Sequence, residues 1–314
     1  MSDDEADPEL LELLRQHLQG KLVVKEEADT GVLDGAEYVY NQGIDMAIDM
    51  RATKAAAQTI YAQMQKKHYS TATWSEHELH PKAKDETSVA FIFTMDLLNF
   101  SFWSELPDDE RFAIEYHGRR WTGYWSLVAA IQRALEEGEL PMSHFKAQQR
   151  TDIRSSTEEE MPLLQERLDC LRESGRVLYE RYNCSFANVI SAANGSAAEL
   201  VNLLARDFSC FRDEHYFEGR NKPVRFLKRA QILVADIWAC FEGQSYGKFR
   251  DIDKITMFAD YRIPQILITL GALYCSPPVA AAIRDRKMFK SGDRWEVQLR
   301  GNYIPTLEWC AFIR

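Results

Sequence analysis

No two of the six cysteines (Cys170, Cys184, Cys210, Cys240, Cys275 and Cys310) stand as Cys-x-x-Cys. Zinc and dithiol redox motifs therefore lack their usual spacing. Scattered thiols in apolar surroundings point instead to buried, reduced cysteines. No glycine-rich phosphate loop, Walker motif, Gly-x-Ser-x-Gly elbow or dinucleotide fingerprint occurs, which removes most nucleotide-hydrolysing and dehydrogenase classes. No apolar run approaches the ~20 residues that a membrane helix needs, so no membrane association is expected. The opening MSDDEADPELLELL has neither the basic nor the apolar region of a secretory signal, and the cytosol or the nucleus is the expected compartment. Basic charge is also short. Against 48 acidic side chains stand 38 basic ones, a formal net charge of −10. Coating a polynucleotide needs a basic face that displaces counterions, so direct polynucleotide binding is not expected. A small nucleotide in a local basic pocket is still allowed. Proline- or serine-rich linkers and internal repeats are absent too. The 314 residues, 46% hydrophobic, read as one domain with a sizeable core.

What is present is mostly helical pattern, which predicts a mainly α fold with a little β-hairpin. Residues 1–36 are charged, with one short amphipathic stretch from Leu10 to Leu18, and are expected to form a mobile arm ahead of a helical domain over 37–314. Helices are predicted at Ala52–Gln65 and at Tyr124–Glu137, the latter stopping at Gly138. Ser156 with Glu159 forms a capping box before the stripe Leu164, Leu168, Leu171, Leu178, and Ser196 with Glu199 opens Ala197–Phe208. Phe226, Ala230, Leu233, Ile237 and Phe241 make a stripe ending at Gly243. Pro264 suits the first turn of a helix through Leu267 and Leu270. Phe112, Ile114 and Tyr116 alternate before a His117-Gly118 turn, and Trp295, Val297 and Leu299 alternate likewise, so both read as strand. The final segment YIPTLEWCAFIR reads as helix.

Four places could carry chemistry. Asp260 stands just before the Pro264 helix, where the helix dipole and free N–H groups hold an acid ionised. Phe258, Tyr261 and Arg262 surround it. An anion beside aromatic faces suits an N-glycosidase, because breaking a ribosyl–base bond builds positive charge on the sugar. Residue chemistry alone equally describes, and favours, an ordinary capping acid. Asp236 lies within the apolar run LVADIWAC and must be paired or protonated; a structural ion pair is the plainer reading. Lys228 and Arg229 open the same helix and could meet a phosphate or simply water. His77 and His80 in SEHELHP lack a third ligand and the His-Glu-x-x-His spacing, so a metal site is not expected. One of them could hydrogen-bond a base. Phe100, Phe102, Trp103, Trp121, Tyr124 and Trp125 form a dense aromatic set that serves a core or a stacking wall, with Asn99 able to read an edge.

Together the blocks HELHP, DLLNFSFWSE, GYWSLVAAIQRALEEG, FEGR, KRAQILVADIW, ITMFADYRIPQIL and SGDRWEVQLRG resemble the queuosine salvage protein family, in order, from about Gly35 to Arg314. The resemblance implies a helical fold related to DNA glycosylases. It implies hydrolysis of queuosine 5′-monophosphate to queuine and ribose 5-phosphate, with neither metal nor organic cofactor. On the matching positions, Asp260 takes the role of nucleophile or transition-state stabiliser, and Phe258 and His77 contact the base. Asp236 supports the pocket, and Lys228 with Arg229 are candidates for the phosphate. Family chains continue into a C-terminal segment of the form Asp-Tyr-x-x-Trp-Asp, which these 314 residues do not contain. The expectation is thus of a chain lacking that segment, and the alternative is a non-catalytic protein that binds queuine or its nucleotide.

Overall fold

The computed structural model describes residues 15, 27–68, 71–138 and 161–311, with backbone alone at 71, 72, 303 and 305–311. The Leu10–Leu18 stretch, apart from Arg15, and the Ser156–Glu159 box lie outside them. The chain forms α1 (Val32–Gln42), β1 (Met46–Ile48), α2 (Met50–Lys67) and a 3-10 segment (Thr71–Glu76). There follow α3 (Glu86–Leu97), β2 (Ala113–Tyr116), β3 (Arg119–Thr122), α4 (Tyr124–Glu136) and α5 (Leu164–Arg181). Next come α6 (Phe186–Ala192), α7 (Ala197–Asp207), β4 (Glu214–His215), β5 (Val224–Arg225) and α8 (Lys228–Cys240). The chain closes with α9 (Arg262–Thr269), β6 (Leu273–Cys275), α10 (Pro277–Arg284) and α11 (Arg294–Ala311). The fold is mainly α. Its strands form three antiparallel pairs, β1 with β6, β2 with β3 and β4 with β5.

A helix that is apolar all round belongs in the middle of a protein. α3 is such a helix: Val89, Phe91, Ile92, Phe93, Met95 and Leu97 are each 2% exposed or less. Asp85 caps it, accepting the Thr87 and Ser88 N–H groups. α4, α5, α6 and α8 pack around it. α7 behaves as the capping box predicts, with Ser196 accepting the Glu199 N–H. In the β2–β3 hairpin, His117 and Gly118 both take positive φ, 51° and 70°, the twist a two-residue turn needs. No helix of the described residues is long and apolar enough to cross a membrane.

Two expectations fail on physical grounds. Trp295, Val297 and Leu299 are helical, in the first turns of α11. Five alternating residues do not separate the two periods, and the buried face of α11 carries polar Gln298 and Asn302 beside Val297 and Ile304. Those amides are paired, Gln298 with Asp45 and Asn302 with the Gln298 carbonyl. α5 begins at Leu164 with Leu163 as its cap, and its buried positions are Arg167, Ser174, Val177 and Leu178, so the leucine stripe is only partly the core face.

α11 lies along α1, and Gly301 sits at their close approach. A Cβ there would stand 2.5 Å from Val39 Cγ1 and 2.6 Å from Val39 Cβ. Val39 is β-branched and wholly buried, so it has little room to rotate. Alanine favours a helix over glycine by about 1 kcal/mol, but overpacking costs about 1–3 kcal/mol. Gly301→Ala is therefore expected to lower stability in urea denaturation; an unchanged or raised midpoint would contradict this packing.

Candidate active site

α8 organises the candidate residues. Its stripe Ala230, Leu233 and Ile237, begun by Phe226, is wholly buried. Lys228, Ile232 and Asp236 therefore lie on another face, where each keeps partial exposure. At 1.5 Å per residue, Lys228 and Asp236 stand about 12 Å apart along the axis.

The Lys228 end is tightly built. Asp213 accepts the Lys228 N–H at 3.2 Å and a two-pronged contact from Arg300 at 2.8 and 2.5 Å. Burial opposes the Asp213 charge, but Arg300 outweighs it and lowers the carboxyl from its ordinary value. Gln231, wholly buried, accepts the Thr256 N–H at 2.8 Å and donates to the Phe226 carbonyl at 3.1 Å. This clamp lays residues 256–260 beside the first turn of α8. The chain then turns sharply, the Asp260 N–H donating to the Phe258 carbonyl at 2.7 Å. Asp260 Oδ1 accepts the Arg262 N–H at 2.9 Å and opens α9, while Oδ2 accepts from Lys228 Nζ at 2.6 Å. The Asp260 side chain remains 29% exposed, so the ion pair faces open space and is not enclosed. Burial works against its charge, but Lys228 and the Arg262 N–H prevail and hold the carboxyl below its ordinary value. It is an anion at neutral pH. Phe258 is half-buried beside it, and Tyr261 and Arg262 are exposed on the same turn, with the guanidinium 5.7 Å from the Tyr261 ring.

Arg229 does not share Lys228's direction. Its guanidinium donates to the Leu97 carbonyl at 2.7 Å and to the Cys210 carbonyl, and lies 4.7 Å from the Phe100 ring. The expectation of a phosphate contact there gives way to a structural role, because its donors already serve the backbone.

At the other end, Asp236 Oδ1 accepts from Trp74 Nε1 at 3.1 Å. Trp74 stacks on His80 with ring centres 4.0 Å apart. His80 bonds the Trp74 carbonyl through Nδ1 at 2.8 Å and Tyr124 Oη through Nε2 at 3.1 Å. His77 joins this group through its neighbours, 5.5 Å from the His80 ring and stacked on Trp125 at 3.4 Å. Its Nδ1 accepts the Leu79 N–H at 3.2 Å. Asp96, wholly buried on α3, belongs here as well: Asn99 Nδ2 donates to its Oδ1 at 3.1 Å. Burial raises both acids, Asp236 up to about 7 and Asp96 well above its ordinary value, the latter also feeling the charge of Asp236. Asp96 was not among the sequence candidates. The signal existed, since an acid inside FIFTMDLLNF poses the same question as one inside LVADIW. Trp74 was missed because nothing local marks it.

Burial brings the His80 imidazole down to about 4, against the Trp74 carbonyl that favours its charged form. An unfolded histidine titrates near ~6.5. The fold thus prefers neutral His80, a contribution complete above pH ~6.5 and lost as pH falls from there toward 4. His80→Gln should remove it. The stability gap between wild type and variant is expected to shrink by about 2 kcal/mol between pH 7.5 and pH 5 in urea unfolding. A gap that stays constant would contradict a buried neutral imidazole.

A cavity of about 570 Å³ opens between the β2–β3 hairpin, α4 and residues 78–83, with Lys82, Arg119, His117, Gln132 and Glu136 in its walls. Asp236 and Asp260 are not among its lining residues. Arg119 pairs there with Glu78 at 2.8 Å, the His117 ring lies 3.4 Å from the Glu136 carboxylate, and Lys82 donates to the Ser75 and His77 carbonyls. Among the described residues, no group of three His, Cys, Asp or Glu side chains could hold a metal ion.

The family model for queuosine salvage protein matches residues 79–311. The chain belongs to the queuosine salvage protein family. The relative from Schizosaccharomyces pombe, named queuosine 5′-phosphate N-glycosylase/hydrolase, is 40% identical over 293 residues, covering 88% of this chain and 84% of that protein. Proteins of the same name from Mus musculus and Sphaerobacter thermophilus are 40% and 38% identical, covering 88% of this chain and 82% and 84% of their own lengths. The queuosine salvage match spans Asp96, Asp236 and Asp260 and begins two residues after His77. The two ends of α8 and the segment it clamps therefore lie within the family's shared sequence.

Proposed function

We propose that this chain hydrolyses the N-glycosidic bond of queuosine 5′-monophosphate and releases queuine. The observation that carries the proposal is Asp260, an anion with one oxygen on Lys228 at 2.6 Å and the other on the Arg262 N–H at 2.9 Å. As the C1′–N9 bond breaks, its electron pair leaves with the base and positive charge grows on the ribose. Water then adds to C1′, and the base leaves carrying a proton. Queuine is a 7-deazaguanine and has no N7 to protonate, so the usual acid assistance to a purine is reduced. More of the barrier then falls to charge stabilisation at the sugar, which a fixed carboxylate provides. Phe258 and Tyr261 offer faces to the base and sugar beside Asp260, and the Asp236 end with His77 receives the base. We assign the phosphate to Lys228 and Arg262, since Arg229 is committed to backbone carbonyls. A small nucleotide suits the net charge of −10 better than a polynucleotide does. Free cysteines at 170, 184, 210, 240 and 275 fit a reducing compartment, the cytosol or the nucleus.

The test is incubation of the full chain with queuosine 5′-monophosphate, reading free queuine and ribose 5-phosphate by mass spectrometry. Catalytic release is the expected result. Tight binding by calorimetry without release would select a non-catalytic queuine- or nucleotide-binding protein, and strong salt-dependent affinity for tRNA would select a nucleic-acid enzyme.

A further inference from the structure

Cys170 lies on α5, and Cys210 lies in the 3-10 turn Ser209–Phe211. Each thiol has the other as its hydrogen-bond partner. Contacts on either side of the pair fix their approach. One turn after Cys170, the Glu173 carboxylate accepts the Ser209 N–H at 3.1 Å and the Ser209 hydroxyl at 2.5 Å. One turn before it, the Arg167 guanidinium lies 4.4 Å from the Phe100 ring. Arg229 lies 4.7 Å from that same ring and donates to the Cys210 carbonyl. Residues three apart are neighbours on a helix surface. The row Arg167, Cys170, Glu173 is therefore seated on the 209–211 turn, directly at Glu173 and through Phe100 and Arg229 at Arg167. Both cysteines are free and partly exposed, so a small reagent reaches them.

We propose that Cys170 and Cys210 form a reactive dithiol, a modification site apart from Asp260 and Asp236 that a peroxide converts to an intramolecular disulfide. Cys170 is the attacking sulfur. The Cys210 S–H donates to it, and the Arg229 and Arg167 guanidiniums add to that effect. Together they outweigh burial and the Glu173 carboxylate and lower the thiol below its ordinary value. Cys210 gives its proton to that bond and is raised, burial adding to the shift. Thiolate character and access together select the sulfur that reacts. The Cys170 thiolate attacks one oxygen of hydrogen peroxide and the O–O bond breaks. Cys170 becomes a sulfenic acid, and the hydroxide that leaves takes up a proton as water. Cys210 then attacks the Cys170 sulfur, its proton goes to the departing hydroxyl, and a second water leaves. Two thiols and one peroxide thus give one disulfide and two waters, with sulfur oxidised and peroxide oxygen reduced. Thiols already in hydrogen-bond contact need only a small side-chain shift to reach bonding geometry. In a reducing compartment the dithiol is the resting state, and a dithiol reductant restores it by exchange. None of this depends on the glycosidase reading.

The full chain, reduced and then given one equivalent of hydrogen peroxide at neutral pH, tests the proposal by peptide mass spectrometry after the remaining thiols are blocked. The expected product joins the Cys170 and Cys210 peptides with the loss of two hydrogens. It should form before Cys184, Cys240 or Cys275 is modified, and dithiothreitol should undo it. In Cys210→Ser, Cys170 should stop at a sulfenic acid that dimedone traps. In Cys170→Ser, Cys210 should stay reduced at the same dose. Before oxidation, iodoacetamide should alkylate Cys170 about tenfold faster than Cys275, another partly exposed thiol, which burial raises. The wild-type measurements decide by themselves should either variant fail to fold. No disulfide, a disulfide between any other pair, or alkylation of Cys170 no faster than that of Cys275 would overturn the proposal.

Discussion

Asp260→Ala is expected to lower kcat for queuine release by about a thousandfold, or roughly 4 kcal/mol of transition-state stabilisation. The reasoning is electrostatic. The carboxylate is held by Lys228 and by the N–H that opens α9, so it meets the developing cation without having to reorganise. Ground-state binding should change little, because the substrate's ribose is neutral until the bond stretches. KM should then stay within about tenfold of wild type, a split that marks an interaction made mainly in the transition state. Asp260→Asn should behave alike, since it keeps the shape and loses the charge. Folding should survive, because the ion pair is partly exposed and such pairs contribute little to stability. Steady-state kinetics beside a thermal melt checks all of this. Activity within tenfold of wild type in a folded Asp260→Ala protein would remove the carboxylate from the mechanism.

Arg167→Leu is expected to destabilise the fold by on the order of 3 kcal/mol or more. Arg167 is 1% exposed, a buried cation whose partners are almost all backbone. It donates to the Pro162 carbonyl at 2.9 Å, to the Ser101 carbonyl at 3.2 Å, and to the Leu98 and Phe100 carbonyls. Its guanidinium lies 4.4 Å from the Phe100 ring and 5.3 Å from the Phe102 ring. Burial, helped by nearby Arg229, brings it down to about 10, still charged at neutral pH. Leucine fills much of the volume and removes the donor from the carbonyls of buried Leu98, half-buried Phe100 and exposed Ser101, the Leu98 carbonyl being the one left furthest from water. That turn carries Asn99, the partner of Asp96, so KM should rise as well. Arg167→Lys should recover less than half of the loss, because one ammonium cannot reproduce a planar fork that meets several carbonyls. Urea denaturation within 1 kcal/mol of wild type for Arg167→Leu would show that the turn holds itself.

Much of the helical framework was legible because its rules are local. Ser196 capping α7, the His117-Gly118 turn and the Phe226–Phe241 stripe are each written within sixteen residues or fewer, and the structure repeats them. Asp260 before a helix was legible for the same reason. What was not legible depends on distant partners. β1 and β6 are three residues each and pair across more than two hundred positions, with no alternation long enough to mark them. The Lys228–Asp260 contact joins residues 32 apart through the Gln231–Thr256 clamp, so the lysine read as a phosphate ligand is also the aspartate's anchor. Arg167 and Gln298 were passed over because a polar residue does not count toward an apolar stripe, yet both are buried and satisfied. Asp96 shows how one rule applied unevenly misses a residue: an acid inside an apolar helical run needs a partner wherever it occurs.

In the proposed mechanism the scissile bond lies at Asp260, and a crystal structure of Asp260→Ala with uncleaved queuosine 5′-monophosphate tests that directly. The ribose C1′ is expected within about 3–3.5 Å of where the Asp260 carboxylate oxygens stand, with the base toward Asp236 and the phosphate against Lys228 or Arg262. A nucleotide seated in the cavity beside the hairpin, or with C1′ turned away from residue 260, would contradict it.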